Sequence, residues 1–288
     1  MKTFVKPSTL LTCVVLSIGL IACEKDSFLT PNSTASARTA APQNSIDVSI
    51  PQVHKLTQYG EAKLTYAANG QLLSVTTPVR GSMPVQTDYT YTPGQIRAFT
   101  HQGKIVLHDE TFTLDASGRC TESVEAGSYS DVHWIYTYTD KGQLWSCMNQ
   151  NSCVGGITYN YNADGDMERA RLSTGVSEGI DITFAYDQPA GAPLLHDAYP
   201  LNITVPRMTA HDTYLRIFGK SSKHLPKHVS YKPAPGTTFV TLPSDLVYVY
   251  SLDTDGFVTK KIEYNGQSGV LPKTVLYAYE MVNLVVNP

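Results

Sequence analysis

Five glycines stand in near-perfect register, at Gly70, Gly94, Gly118, Gly142 and Gly165, separated by 24, 24, 24 and 23 residues. Each has the same surroundings. Two apolar residues, two apart, precede it: Leu64/Tyr66, Tyr89/Tyr91, Phe112/Leu114, Tyr136/Tyr138 and Tyr159/Tyr161. Two residues past each glycine lies another apolar or sulfur side chain: Leu72, Ile96, Cys120, Leu144 and Met167. Residues i and i+2 share one face of a strand, and aromatic and β-branched side chains suit a pleated, half-buried surface. Asn69-Gly70 and Asp164-Gly165 are hairpin-turn chemistry, with glycine taking positive φ. The unit is therefore two strands and two turns, and the chain should form a long antiparallel meander.

The pattern returns at Tyr248-x-Tyr250 with Gly256-x-Val258, and half of it appears at Phe184-x-Tyr186 and Tyr277-x-Tyr279. Residues 188–245 interrupt it. There Thr209-Ala-His-Asp212 has the form of a capping box with Asp in the Glu position, and Gly219 suits a helix stop. These signals predict a short helix over 209–218 covering one mouth of the sheet, with Pro-rich irregular segments at 189–206 and 226–243 and the repeat resuming at Leu246. The predicted fold is all-β: a meander of ~24-residue units forming a curled sheet, with a helix-containing insertion.

The first 23 residues read as an address. Lys2 and Lys6 precede an apolar run from Leu10 to Ile21, about the length of a signal-peptide core and too short to anchor by spanning. The run ends Leu20-Ile21-Ala22-Cys23, which resembles the lipobox of bacterial lipoproteins. The resemblance implies cleavage after residue 22 and lipidation of Cys23. Glu24-Lys25-Asp26 resemble the surface-export signal of lipoproteins in some Gram-negative anaerobes. Residues 27–45, rich in Ser, Thr, Ala and Pro, cannot bury enough surface to order themselves. They read as a tether, which gives a signal at 1–22, a tether at 23–45 and one β domain at 46–288. The expected location is the outer membrane, lipid-anchored and surface-exposed, with the periplasmic face as the alternative.

The Tyr-x-Tyr-x-x-x-Gly-x-Leu pattern is similar to the YD repeat of Rhs-type β-shell proteins, although Asp follows the second Tyr directly only at Asp187. Lipobox, tether and repeat together resemble a family of Gram-negative lipoproteins classed as a domain of unknown function with a porin-like fold. The likeness covers about residues 50–288 and includes the stretch Gly219-Lys-Ser-Ser-Lys-His-Leu-Pro. The resemblance implies a fold and no activity.

Charged residues make up only 16% of the chain and the formal net charge is −3, which excludes a nucleic-acid binder with a strong basic field. A membrane barrel needs an apolar outer band. Residues 166–172 set Glu168 on one face and Arg169 and Arg171 on the other. Residues 104–112 set His108 and Glu110 opposite Asp109. Charge on both faces predicts a domain that is soluble without detergent.

Candidate chemistry is sparse. Cys13 leaves with the signal. Cys147 and Cys153 flank the Met-Asn-Gln-Asn-Ser turn of one hairpin, where they either face each other as a disulfide or, one register step away, lie on opposite faces. Cys120 sits in the apolar column as core filler. The histidines are scattered, and Pro226 breaks the helical geometry that His224-x₃-His228 would need to bind zinc. Asp253-Thr-Asp-Gly256 occupies a turn position and lacks the later Glu of a calcium loop. No nucleophile elbow or phosphate loop is present, and Glu110, Glu122, Asp131 and Glu168 read as acids on strand faces. No enzyme, metal or cofactor is expected.

The leading reading is a non-enzymatic binding or display module for a glycan or protein ligand. Trp134 and Trp145, read as lying on the face opposite Tyr136/Tyr138 and Leu144, are its expected contacts. A scaffold lipoprotein joining an envelope assembly is the second reading, and a hydrolase at the mouth of the sheet is the third. If Cys23 carries the lipid, labelled palmitate is incorporated by the parent chain and not by Cys23→Ser; equal labelling of both would refute the assignment.

Overall fold

The computed structural model describes residues 52–127, 130–151, 155–173, 179–187, 192–201, 212–237, 241–266 and 270–283. The expected signal and tether lie outside them. Residues Ser49–Pro288 form one compact unit. Sixteen antiparallel strands run in chain order around a closed barrel: β1 (Gln52–Tyr59), β2 (Ala62–Tyr66), β3 (Leu72–Thr77), β4 (Val85–Thr92), β5 (Gln95–Gln102), β6 (Ile105–Leu114), β7 (Cys120–Glu125), β8 (Val132–Tyr138), β9 (Leu144–Asn149), β10 (Gly156–Tyr161), β11 (Met167–Ser173), β12 (Gly179–Ala185), β13 (His228–Pro233), β14 (Leu246–Leu252), β15 (Val258–Asn265) and β16 (Lys273–Asn283). Pairing of β1 with β16 closes the ring and leaves no free sheet edge.

The glycines mark one rim. Gly70, Gly94, Gly118, Gly142, Gly165 and Gly256 all have positive φ. Five of these turns are built identically. The residue three before the glycine accepts from its N–H and donates to the residue one after it, as in Gly142 N→Thr139 O and Thr139 N→Gln143 O, both 2.8 Å. A side-chain oxygen at the turn's first position often caps it: Asp115 Oδ1 accepts from Ser117 N and Arg119 N, and Asp253 Oδ1 from Asp255 N and Phe257 N. Pro93-Gly94 is one residue shorter and joins β4 to β5 directly.

Each of the five longer turns is followed by a bulge. Tyr138 pairs with Leu144 but Thr137 with Ser146, so Trp145 is the extra residue; Leu73, Thr121, Glu168 and Thr259 hold the same place elsewhere. A bulge resets the alternation of faces. Inward positions therefore fall two and five residues after the glycine: Leu72/Val75, Cys120/Ser123, Leu144/Cys147 and Met167/Ala170, all buried. The inward face holds the expected aromatic columns, with Tyr136 and Tyr159 buried and Tyr138 and Tyr161 packed against the same core.

The tyrosines also bond. Tyr91 Oη donates to Leu72 O (3.0 Å), Tyr138 to Cys120 O (2.6 Å), Tyr161 to Leu144 O (2.8 Å) and Tyr186 to Met167 O (2.8 Å). Each hydroxyl ties its hairpin to the first residue after the preceding glycine turn. Tyr66→Leu56 O and Tyr250→Pro226 O are variants at the ring's start and at its interruption. Leu114 holds the equivalent place before Gly118 and has no hydroxyl.

Much of the outer wall is polar, although Leu73, Trp145, Met148, Val247, Val249 and Leu276 are exposed on it. Hydroxyl pairs bridge strands at Thr65–Ser74, Thr137–Ser146 and Thr183–Ser230. Arg97 grips Asp109 in a fork, and Arg169 and Arg171 share Asp181. This alternation is the inverse of a transmembrane barrel, which is apolar outside and polar within. The expected charge on both faces holds for β6. On β11 the bulge turns Glu168 outward beside Arg169 and Arg171, so its charges share one face.

The chain between β12 and β13 enters the glycine-turn rim. The described part of the predicted helix, 212–218, is turns and bends. Asp212 caps a turn through Tyr214 N and Leu215 N rather than starting a helix, because the following residues are drawn into an extended path along the rim. Ile217 O accepts from Cys120 N, Gly142 O from Lys220 N, and Asp166 Oδ1 from His224 N. Successive hairpins lie two strands apart, about 10 Å, and three extended residues advance about the same distance. Leu215, Ile217 and Phe218 are buried in the core, and Phe218 packs on Phe112 and Tyr136 at ring separations of 5.9 and 5.2 Å. At Gly219 a side chain would stand 2.5 Å from Gly142 O and 3.0 Å from the Tyr138 ring. The expected interruption is also narrower than 188–245: His228–Pro233 is strand β13, with Val229 and Tyr231 inward.

Removing one latch should be measurable. Tyr161→Phe keeps the ring but leaves Leu144 O without this donor. The expected loss is about 1 kcal/mol, rising to about 3 where the carbonyl stays dry, read as a lower denaturant midpoint with an unchanged slope.

Candidate functional site

A barrel of this strand number ordinarily leaves an aqueous channel. Here inward side chains and the insertion fill most of it, and a cavity of about 320 Å³ remains between the insertion and β12–β16. That is at the lower end of small-molecule sites. Its walls carry five tyrosines: Tyr59, Tyr231, Tyr248, Tyr250 and Tyr277. Tyr59 meets Tyr277 edge to face at 5.0 Å, and Tyr248 and Tyr250 stand 6.1 Å apart.

The bulge after Gly256 explains the polar part of the wall. It turns Lys261 and Glu263 inward, opposite Tyr250 and Tyr248. Lys261 Nζ lies 3.8 Å from Glu263 and 5.0 Å from the centre of the Tyr248 ring. Lys273, paired with Glu263 across β15–β16, is exposed at the rim opposite the glycine turns. Burial, with the charges of Glu263 and Asp245, pushes the Tyr231 hydroxyl up to about 12. Burial raises Tyr248, Tyr250 and Tyr277 further. All four are neutral hydroxyls at neutral pH, able to donate and accept. Burial likewise holds the Asp197 carboxyl above the usual carboxylate range, against backbone hydrogen bonds that lower it.

At the glycine-turn end of the cavity, His224 Nδ1 lies 2.7 Å from Asp166 Oδ2, with Ser221 and Ser222 also in the wall. These are the residue types of a catalytic triad, but their bonds are spent on the fold. Asp166 also holds His224 N, and Ser222 Oγ accepts from Met167 N at 3.0 Å and from Tyr186 Oη at 3.4 Å. The Gly219–Pro226 stretch is thus a clasp across three hairpins: Gly219 allows close approach, Ser222 and His224 bind β11 and its turn, and Pro226 O receives Tyr250.

A second interior polar group lies across the barrel. Glu110 and Glu125 are directly paired between β6 and β7, and His108 bridges them, with Nε2 3.0 Å from Glu110 and Nδ1 2.9 Å from Glu125. Glu110 is 3% exposed and its Oε1 has no partner. Its hydrogen bond to Glu110 chiefly, with the charges of both carboxylates, raises His108 above the usual imidazole value, against burial that lowers it.

The residues singled out from the sequence do not converge. Cys23 and Cys153 lie outside the described residues. Cys147 is a buried free thiol facing the interior, as is Cys120. Burial pushes both thiols well up, which leaves them unreactive. The two tryptophans do not share a face: Trp134 is 8% exposed, inward with Tyr136, whereas Trp145 is 52% exposed on its bulge. The expected placement of Trp134 is corrected by the two-residue period of β8. Among the described residues no cluster of three or more His, Cys, Asp or Glu could hold a metal ion. Lys261, Glu263 and Tyr231 were not anticipated. The offset of five residues from each glycine was the available signal for the first.

The chain resembles a crystal structure of a porin-like protein from Bacteroides uniformis, with a TM-score of 0.55 and 16% identity, over 76% of this chain and 89% of that one. No family model matches the chain, and no curated protein matches it. The likeness is one of fold, and the porin-like fold implied by the resemblance is the fold of this chain.

The raised His108 value sets a sign for pH dependence. Its contribution is fully present below the unfolded value near 6.5 and is lost as pH rises through the higher folded value. Unfolding free energy should therefore fall from about pH 6.5 upward, and His108→Gln should flatten that slope in urea titrations.

Proposed function

We propose that this chain is a lipid-anchored envelope protein, of the lipoprotein family its sequence resembles, whose barrel is a non-enzymatic binding module for a glycan. The single observation that carries the reading is the tyrosine-walled cavity beside Lys261, Glu263 and Lys273 in an otherwise filled barrel. Aromatic rings suit the apolar faces of sugar rings, and neutral hydroxyls and an ion pair suit their alcohol groups. The polar outer wall supports a domain held outside the hydrocarbon core and not a pore. Attachment then falls to the lipid on Cys23, and Glu24-Lys25-Asp26 favour display on the outer membrane surface. The commitment of Asp166, Ser222 and His224 to structural bonds supports a non-enzymatic role.

The scaffold reading keeps one observation of its own. On the outer face of β14–β16, Val247 lies opposite Tyr264 and Val249 opposite Ile262, with Leu276 beside them. Val247, Tyr264, Val249 and Leu276 are all more than 40% exposed, and a contiguous apolar patch on a soluble wall marks a protein contact.

A glycan array probed with the detergent-solubilised full chain tests the first reading. A glycan hit that Tyr248→Ala or Lys261→Ala weakens at least tenfold, and Val249→Ser leaves unchanged, is the expected result. A protein partner lost with Val249→Ser and retained with Tyr248→Ala would replace it with the second.

A further inference from the structure

The two rims of the barrel are chemically opposite. The glycine-turn rim is polar: its loops read Ala-Ala-Asn-Gly-Gln, Asp-Ala-Ser-Gly-Arg, Thr-Asp-Lys-Gly-Gln and Asn-Ala-Asp-Gly-Asp. The other rim carries bare apolar side chains. Ile105, Val106 and Leu107 are 63%, 56% and 51% exposed, Met83 is 61% and Leu271 87% exposed, and Val79 stands beside them in the β3–β4 loop. Met83 lies over the β5–β6 turn, where a side chain on Gly103 would meet its sulfur at 2.8 Å. Gln102 Nε2 ties the two hairpins through Ser82 Oγ and Met83 O. The adjoining basic charges are Arg80, Lys104 and Lys273, with Glu61 in the intervening β1–β2 turn as the one exposed acid among these loops, and no acid occurs in 78–84, 103–107 or 266–273.

We infer that this rim docks into the headgroup region of an anionic lipid membrane. The decisive feature is the start of β6. Successive strand residues point to opposite faces, so a strand lying against a flat protein partner buries every second one. Leu107 is the extra residue of a bulge between the His101–Val106 and Thr100–His108 pairs, so Val106 and Leu107 share the outer face while Ile105, paired with Gln102, is on the other. All three are bare, which suits a medium that surrounds the hairpin. Apolar side chains that enter the headgroup–acyl boundary with Lys and Arg beside them are the chemistry of an interfacial contact, and basic residues near an anionic surface add about 1 kcal/mol each.

The membrane is the one proposed to hold Cys23, so the inference rests in part on that anchor. β1 begins at the glycine-turn rim, the far end of the barrel. The stretch from Cys23 to Gln52, about 30 residues, has a root-mean-square span of about 30 Å as a Ser/Thr/Pro-rich coil and about 100 Å extended. A strand of eight to ten residues is about 26–34 Å long. The tether therefore reaches along the barrel, and the far rim can meet the same bilayer.

The test is tryptophan depth in vesicles. Val106→Trp, and Lys141→Trp at the glycine-turn rim as control, are made in the full chain as its host processes it and reconstituted into phosphatidylcholine–phosphatidylglycerol vesicles. The added emission at position 106 should shift to the blue and be quenched by brominated acyl chains, while that at 141 does neither. The effect should weaken in vesicles of phosphatidylcholine alone, and Ile105→Ser with Leu107→Ser should abolish it with an unchanged melting temperature. Emission at 106 that stays red and unquenched overturns the inference. So does a blue shift that follows protein concentration and ignores brominated lipid, which would mean that a second copy covers the rim. Palmitate labelling of Cys23 is scored separately, so failure of the anchor and failure of the rim contact give different results.

Discussion

A tyrosine hydroxyl donating to the first carbonyl of the preceding strand pair is the bond on which this barrel depends. Closing sixteen strands with side chains alone would leave each hairpin to find its register by packing, and a one-residue slip reverses the faces of a strand. The bulge after each glycine turn already disturbs alternation, and it leaves the carbonyl at its start facing inward. The tyrosine of the next unit satisfies that carbonyl. Turn, bulge and hydroxyl are thus one device: the turn sets the bulge, the bulge presents the acceptor, and the hydroxyl fixes the neighbour.

Much of this was legible in the sequence. The five glycines, their aromatic columns and their hairpins follow from spacing alone, whereas closure of the ring by β1 and β16 leaves no local signal in the repeat. The bulge was hidden, because a reader who applies strict alternation puts Glu168 and Arg169 on opposite faces and never brings Lys261 inward. It left a trace in the recurrence of buried residues two and five positions after each glycine. The insertion was less readable. Asp212 and Gly219 have the chemistry of helix ends, but the spacing of the rim favoured an extended path whose partners lie up to 97 residues away, as Ile217 and Cys120 do. Trp134 was a plainer matter, since its parity with Tyr136 places it inside.

The architecture separates shape from solvent. A porin and this chain share a sheet rolled into a ring, but here the wall that a porin turns to lipid carries Thr, Arg and Asp, and the lumen carries Tyr, Phe and Leu. The interior is a core that keeps a residual cavity between the insertion and β12–β16. Several interior titratable groups are bridged or capped, as with His108 between Glu110 and Glu125, or with Asp212, which receives the Tyr89 hydroxyl and two backbone N–H groups. Lys55 instead is buried with its Nζ 5.4 Å from the centre of the Tyr66 ring and no hydrogen-bond partner.

The strap at the glycine-turn rim also sets girth. The lumen's cross-section grows roughly as the square of the strand number, while the inward side chains that fill it grow only in proportion. Adding a unit to the ring would repeat every local bond and still open a void at the axis that no further tyrosine could reach. Leu215, Ile217 and Phe218 are buried inside the ring, Phe218 against Phe112 and Tyr136, so the segment between β12 and β13 acts as a mandrel, and a wider relative would need a longer one.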